Sequence, residues 1–244
     1  MKQTYTRTLT ACYTGYVVQA IVNNFAPLLF LTFQSTYDIS MGRITLLITI
    51  NFIIQLMTDC LSAGFIDRIG YRASMLIAHA ASAVGLICLP LLPELLPDPF
   101  AGLLIAVGIY AVGGGLLEVM VSPVVEALPT KNKEKTMSML HSFYCWGHVA
   151  VVLVSTIFFA LFGVENWRIM AVIWALVPVY NFFVFRKVPI CTLTEEGEKG
   201  LSFTDLIRKP AFWILMVIMV CAGASEQSVS QWASTFAEQG LGVN

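Results

Sequence analysis

Ala63-Gly64-Phe65-Ile66-Asp67-Arg68-Ile69-Gly70-Tyr71-Arg72 is a short charged stretch set between two long runs that hold almost no charge. On its N-terminal side, Ile44 to Ile66 is interrupted by Asp59 alone. On its C-terminal side, Ala73 to Pro93 carries no Asp, Glu, Lys or Arg. The same emptiness recurs from Thr8 to Tyr37, Pro99 to Leu117, Thr136 to Val164, Ile169 to Phe185 and Pro210 to Ser225. A helix needs roughly 20 mostly apolar residues to cross the hydrocarbon of a bilayer. The runs therefore predict seven spanning helices, near 8–33, 41–65, 73–93, 100–127, 137–163, 167–186 and 211–238. They are continuously apolar, without the alternation of barrel strands, so the expected class is an all-α integral membrane protein.

Composition excludes the competing classes. Of 244 residues, 57% are hydrophobic and 12% charged, against about 45–50% and 25% for a soluble domain. So few charges cannot coat a water-exposed surface, and the apolar content excludes a disordered chain. A formal charge of −1, from 14 Lys and Arg against 15 Asp and Glu, offers nucleic acid no basic patch. Cys12, Cys60, Cys88, Cys145, Cys191 and Cys221 are scattered with no paired spacing, so neither a metal site nor a cofactor is expected. Lys2 and Arg7 ahead of an apolar stretch imitate a signal peptide. That stretch is too long and ends without a small-residue cleavage site, so it reads as a retained first span.

The basic residues orient the spans. One set of loops carries Lys2, Arg7, Arg68, Arg72, Lys131, Lys133, Lys135, Arg186, Lys187, Lys199, Arg208 and Lys209, and the other only Arg43 and Arg168. That 12-to-2 division predicts a multi-pass protein of the cell membrane (plasma or inner) with its N-terminus in the cytoplasm. The link between spans six and seven is long and polar, with Leu201–Ile207 reading as an amphipathic piece at the inner surface. The expected organisation is a six-helix bundle at 1–186, a linker at 187–210, and the first helix of a second bundle at 211–244.

The stretch after span two resembles the loop signature of the major facilitator superfamily, G-x-x-x-D-R-x-G-x-R/K. Asp67, Arg68, Gly70 and Arg72 match position for position, and Ala63 replaces the first glycine. The resemblance implies a bundle of two three-helix repeats. It also implies a gating role for the loop in holding the inward-closed arrangement, and Asp59, two turns before Asp67, is grouped with it. A narrower resemblance covers spans four and five. Gly113, Gly115, Leu117, Glu118 and Pro123 fit G-x-G-x-L-E-x-x-x-x-P of the fucose permease-like sugar/proton symporters. In span five, Phe143 and Gly147 match that group, and His141 and Tyr144 fall where it places polar cavity residues. Asn23-Asn24 matches its first span, but the membrane Asp that follows there is Pro27 here. The resemblance implies a small polar solute, a sugar or related metabolite, with the proton as coupling ion.

Polar groups inside the membrane are expensive and mark function by default. Glu118 lies well inside span four, and Glu226-Gln227 falls in a polar break of span seven. Superimposing span seven on span one as repeat counterparts sets Glu226-Gln227 opposite Asn23-Asn24. His141, Tyr144, Cys145 and His148 share one face of span five. The candidate solute-binding and coupling residues are thus Asn23, Asn24, Glu118, His141, Tyr144, Glu226 and Gln227. His79 reads as structural.

The leading expectation is a secondary transporter that moves its solute by alternating access. A seven-helix receptor or sensor is disfavoured by an inside N-terminus, and a retinal protein by the absence of Lys in the last span. A membrane enzyme finds no nucleophile elbow, HExxH or metal cluster, and no G-x-x-x-x-G-K-[ST] loop supplies ATP drive. Twelve spans would need about 400 residues. The chain is therefore expected to be an N-terminal portion, with the remainder of the C-terminal bundle absent from it.

Overall fold

The computed structural model describes residues 2–191, 205 and 207–242, with the side chains of 2–4, 63 and 67 outside the description. The elements are α1 (Lys2–Asn24), a 3₁₀ turn (Ala26–Leu29), α2 (Phe30–Tyr37), α3 (Met41–Ile69), α4 (Tyr71–Leu95), α5 (Pro99–Glu126) and α6 (Lys133–Phe162). A second 3₁₀ turn (Val164–Asn166), α7 (Trp167–Phe185) and α8 (Pro210–Leu241) follow. Seven helical stretches among the described residues are long and apolar enough to cross a membrane, α1 and α2 counting as one. The chain divides into two units, Met1–Leu193 and Thr194–Asn244. The first holds six spans and the second holds α8. The proposed amphipathic piece at 201–207 lies largely outside the described residues.

Helix ends follow local chemistry rather than hydropathy. Asp98 caps α5 by accepting from the Phe100 amide at 3.1 Å, with Pro99 at the first helical position. Asn132 caps α6 through the Lys135 amide at 3.0 Å. The α3–α4 junction is the single residue Gly70 at φ +83°, a conformation that a side chain resists. The helices overrun the uncharged sequence because charged residues at the ends reach the interface while backbone bonding continues.

Span one departs from a continuous helix. Pro27 has no amide to give the Asn23 carbonyl, and the chain turns through Phe25 into the 3₁₀ segment before α2 resumes. Asn23 and Asn24 therefore end a half-helix.

The first unit has an apolar core into which one helix turns its polar face. On α3, Asn51, Gln55, Thr58 and Ser62 are buried, while Ile53, Leu56, Met57 and Leu61 are exposed. That inversion of a soluble helix suits hydrocarbon surroundings. In the unit, α4 packs on α5 and α7, α3 packs on α5, and α1 packs on α5, α6 and α7. Small residues let the helices approach: a Cβ on Gly85 would sit 2.5 Å from the Tyr110 amide nitrogen. Buried bonds lock the packing. His79 Nε2 accepts from Asn181 Nδ2 at 2.8 Å, and that amide also donates to the Ala11 carbonyl at 3.0 Å. His79 Nδ1–H donates to the Met75 carbonyl at 2.7 Å. This imidazole is fully buried with both ring nitrogens bonded.

Candidate functional site

Gly113, Gly114 and Gly115 build the centre of the first unit. Successive helical residues point about 100° apart, so each glycine receives a different neighbour. Gly113 meets Ser82 and the Ala78 carbonyl of α4. Gly114 meets Val22 of α1 and Gln55 of α3, and Gly115 meets Thr58 and Asp59 of α3. One turn beyond this junction stands Glu118, exposed although the residues from Gly113 to Leu117 are all buried. Its Oε2 accepts from Gln19 Nε2 of α1 at 3.2 Å.

The polar residues on α1 and α3 extend this centre. Asn23 Oδ1 accepts from Gln55 Nε2 at 2.8 Å, and Asn24 Nδ2 donates to the Ala20 carbonyl at 2.9 Å. Asp59 lies over Gly115, its Oδ1 at 3.1 Å from where a Cβ would stand. That Oδ1 is buried with no hydrogen-bond partner among the described residues, and the same holds for Oδ1 of Asn51.

A third contact set lies one turn inward. Tyr16 OH and Ser122 Oγ share a hydrogen bond of 2.7 Å. The His141 ring is 5.6 Å from the Tyr16 ring. Phe143 stacks on Tyr13 at 4.3 Å, and Gly147 abuts Val17 and Ala20. These contacts dock α6 on α1 and leave His141 exposed and Tyr144 half-buried. Glu226 and Gln227 lie on α8 of the second unit, which stays helical through its polar stretch. There Ser225 and Ser228 donate back to the carbonyls of Cys221 and Ala224. Gln231 Nε2 donates to Gln227 Oε1 at 3.4 Å. Span one breaks beside its polar pair, whereas α8 runs through its own.

In the loop signature, Gly70 makes the turn and Arg68 is exposed. The Asp67 side chain lies outside the description. Arg72 turns back into the unit, donating to the carbonyls of Phe185 at 2.6 Å and Val188 at 2.8 Å. It closes the C-terminal end of α7, where carbonyls lack helical partners.

Sequence reasoning passed over Gln19, Gln55, Asn51, Tyr16 and Ser122. A signal existed: Gln19 and Asn23, Asn51, Gln55 and Asp59, and Glu118 and Ser122 repeat at spacings of four within apolar runs. No group of three or more His, Cys, Asp or Glu suited to a metal ion occurs among the described residues.

A six-span helical unit, with a carboxylate and amides meeting between its helices, defines a polytopic membrane protein of transporter architecture. Residues 12–244 match the Major Facilitator Superfamily, and the chain belongs to that family. It is 25% identical to the niacin transporter NiaP of Acinetobacter baylyi over 238 residues, covering 93% of this chain and 52% of the relative. The inward-open xylose transporter XylE from E. coli is similar in fold at a TM-score of 0.65 and 15% identity, over 75% of this chain and 48% of that one. A D-xylose-proton symporter aligns at a TM-score of 0.64 and 15% identity, over 96% of this chain and 55% of that one. The chain spans about half the length of these relatives.

Proposed function

We propose that this chain supplies the N-terminal bundle, the following linker and the first helix of the second bundle of a secondary transporter. The transporter moves a small polar solute across the cell membrane by alternating access, and its N-terminus is cytoplasmic. The observation that carries this reading is Glu118. It is a carboxylate well inside a spanning helix, exposed beside a glycine junction and held by Gln19 of another helix. Membrane insertion of such a group costs a few kcal/mol, which a binding or coupling role accounts for. Asn23, Asn24, His141 and Tyr144 act with it, and Glu226 and Gln227 are their proposed counterparts on α8. Asp67, Arg68, Gly70 and Arg72 form the inner gating loop.

Two solute classes come from the relatives' names: niacin, an acid, and xylose, a neutral sugar. The sugar also follows from the G-x-G-x-L-E resemblance around Glu118. Coupling to protons is part of the same proposal, supported by the name of the D-xylose-proton symporter.

The test is uptake into proteoliposomes by the complete gene product that contains this chain. Saturable uptake is expected, with Glu118→Gln lowering it at least about tenfold, as loss of one charged contact does. Undiminished uptake by Glu118→Gln would remove Glu118 from the site.

A further inference from the structure

We propose that Gln19 is a positioning residue for the solute site: its side-chain amide fixes the Glu118 carboxylate in the orientation that meets the solute. This deepens the transport reading above and rests on it. The register of α1 on α5 puts the two side chains together. Tyr16 and Ser122 share a bond of 2.7 Å, and Gln19 Nε2 donates to Glu118 Oε2 at 3.2 Å. Val22 Cγ1 lies 3.2 Å from where a Cβ on Gly114 would stand. Steps of three residues up α1 thus meet steps of four down α5, one face of each helix against the other in antiparallel order. Gly15 admits the approach: a Cβ there would stand 3.3 Å from Val121 Cγ2 and 3.8 Å from Leu117 Cδ2. Gln19 is the middle rung, so packing on both sides of it sets where its amide reaches.

The two partners differ in freedom. Gln19 is 6% exposed, between Val18 and Ala20 at 0%. Glu118 is exposed, and an unheld glutamate keeps most of its rotamer entropy. The bond between them therefore orders the carboxylate, since burial has already ordered the amide. The residue type fits the task. An ionised carboxylate only accepts, so it takes the Nε2–H of Gln19. A protonated carboxyl also donates, and the same amide turned about its last torsion offers it Oε1. Glutamine keeps its hold on both forms, whereas lysine and arginine have no acceptor to offer the second. That suits a carboxylate whose protonation belongs to the proposed coupling. The Tyr16–Ser122 bond and the glycine contacts already join α1 to α5. The Gln19 amide adds a contact to a side chain that the packing leaves exposed.

The test is infrared spectroscopy of the complete gene product in proteoliposomes, titrated from neutral to acid pH. Ionised and protonated carboxyl groups both absorb, and the Glu118 bands are those lost in Glu118→Gln. Gln19→Met keeps the length of the side chain and removes the amide. It is expected to shift the Glu118 bands, because a carboxyl group without its amide partner vibrates at a different frequency. Uptake of radiolabelled D-xylose and nicotinate is measured on the same preparations. For whichever of the two the parent takes up, Gln19→Met is expected to raise KM about fivefold, as loss of one hydrogen bond does, with a smaller change in Vmax. In the Glu118→Gln background, Gln19→Met should add no further loss, since it acts through Glu118. Size-exclusion profiles establish that each variant is folded. Unshifted Glu118 bands in folded Gln19→Met would overturn the proposal and leave the transport reading standing. Shifted bands with unchanged KM and Vmax would show a bond between helices alone and overturn it too. Uptake of neither solute by the parent would count against the transport reading, and shifted bands would still uphold the hold of Gln19 on Glu118.

Discussion

At the residue scale, Arg72 illustrates how a motif residue takes its role from its neighbours. Its guanidinium presents paired donors, and here they span two carbonyls three residues apart at the end of α7. Thr8 Oγ1 donates to the next carbonyl, that of Pro189, at 2.8 Å. Together they hold the chain leaving span six against the N-terminal ends of spans one and three. Arg72→Ala is expected to cost about 1–3 kcal/mol, the penalty for stripping buried carbonyls. It should also speed tryptic cleavage after Arg186 and Lys187. Arg72→Lys should recover part of the loss, since an ammonium reaches one carbonyl well. Unchanged cleavage in Arg72→Ala would show that the segment is held by other contacts. The motif was legible in sequence, but its attachment to Phe185 was not. The carbonyls of α7 carry no residue-type signature, and their partner lies 113 positions away.

At the element scale, the helices are joined by a few buried polar bonds. The Asn181 amide bridges α7 to His79 of α4 and to the Ala11 carbonyl of α1. Trp174 Nε1 donates to Ser155 Oγ at 3.0 Å, joining α7 to α6. Bonds between membrane helices are worth about 0.6 to 2 kcal/mol each. Asn181→Leu removes two of them and leaves His79 Nε2 without a donor. A loss of about 2–3 kcal/mol is expected, read as a lower denaturation midpoint in detergent, with Asn181→Asp also destabilised. Equal stability of Asn181→Leu and the parent would overturn this. Uncharged runs located every span, because crossing hydrocarbon is a property of a window of residues. They did not locate the break in span one. Pro27 was visible, but hydropathy does not register a missing amide hydrogen.

At the scale of the whole molecule, charge asymmetry gives the proposed orientation. The loop at 127–132 should face the cytoplasm and the turn at 96–98 the outside. Lys131→Cys and Pro97→Cys can be compared with the parent for labelling by an impermeant maleimide. Pro97→Cys is expected to react in intact cells, and Lys131→Cys after permeabilisation. The reverse pattern would overturn the orientation. The two arginines on the sparse side pair with acids there, Arg43 with Asp98 and Arg168 with Glu94, which Tyr37 also contacts at 2.9 Å. That face therefore carries little free positive charge, in keeping with the rule that assigns it outside.

The sequence alone determined the solvent this chain lives in, the count of spans and the family resemblance carried by Asp67, Arg68, Gly70 and Arg72. Each rests on local or windowed composition, which the chain displays without folding. Tertiary structure decided which polar residues meet. Gln19 and Glu118 are 99 positions apart, and nothing in either run names the other. Their contact depends on how α1 and α5 rotate about their axes, and the glycines of 113–115 set that rotation by admitting α4, α1 and α3 on successive sides. Close packing between helices is a three-dimensional constraint. It gave an isolated carboxylate in the sequence a partner on another helix.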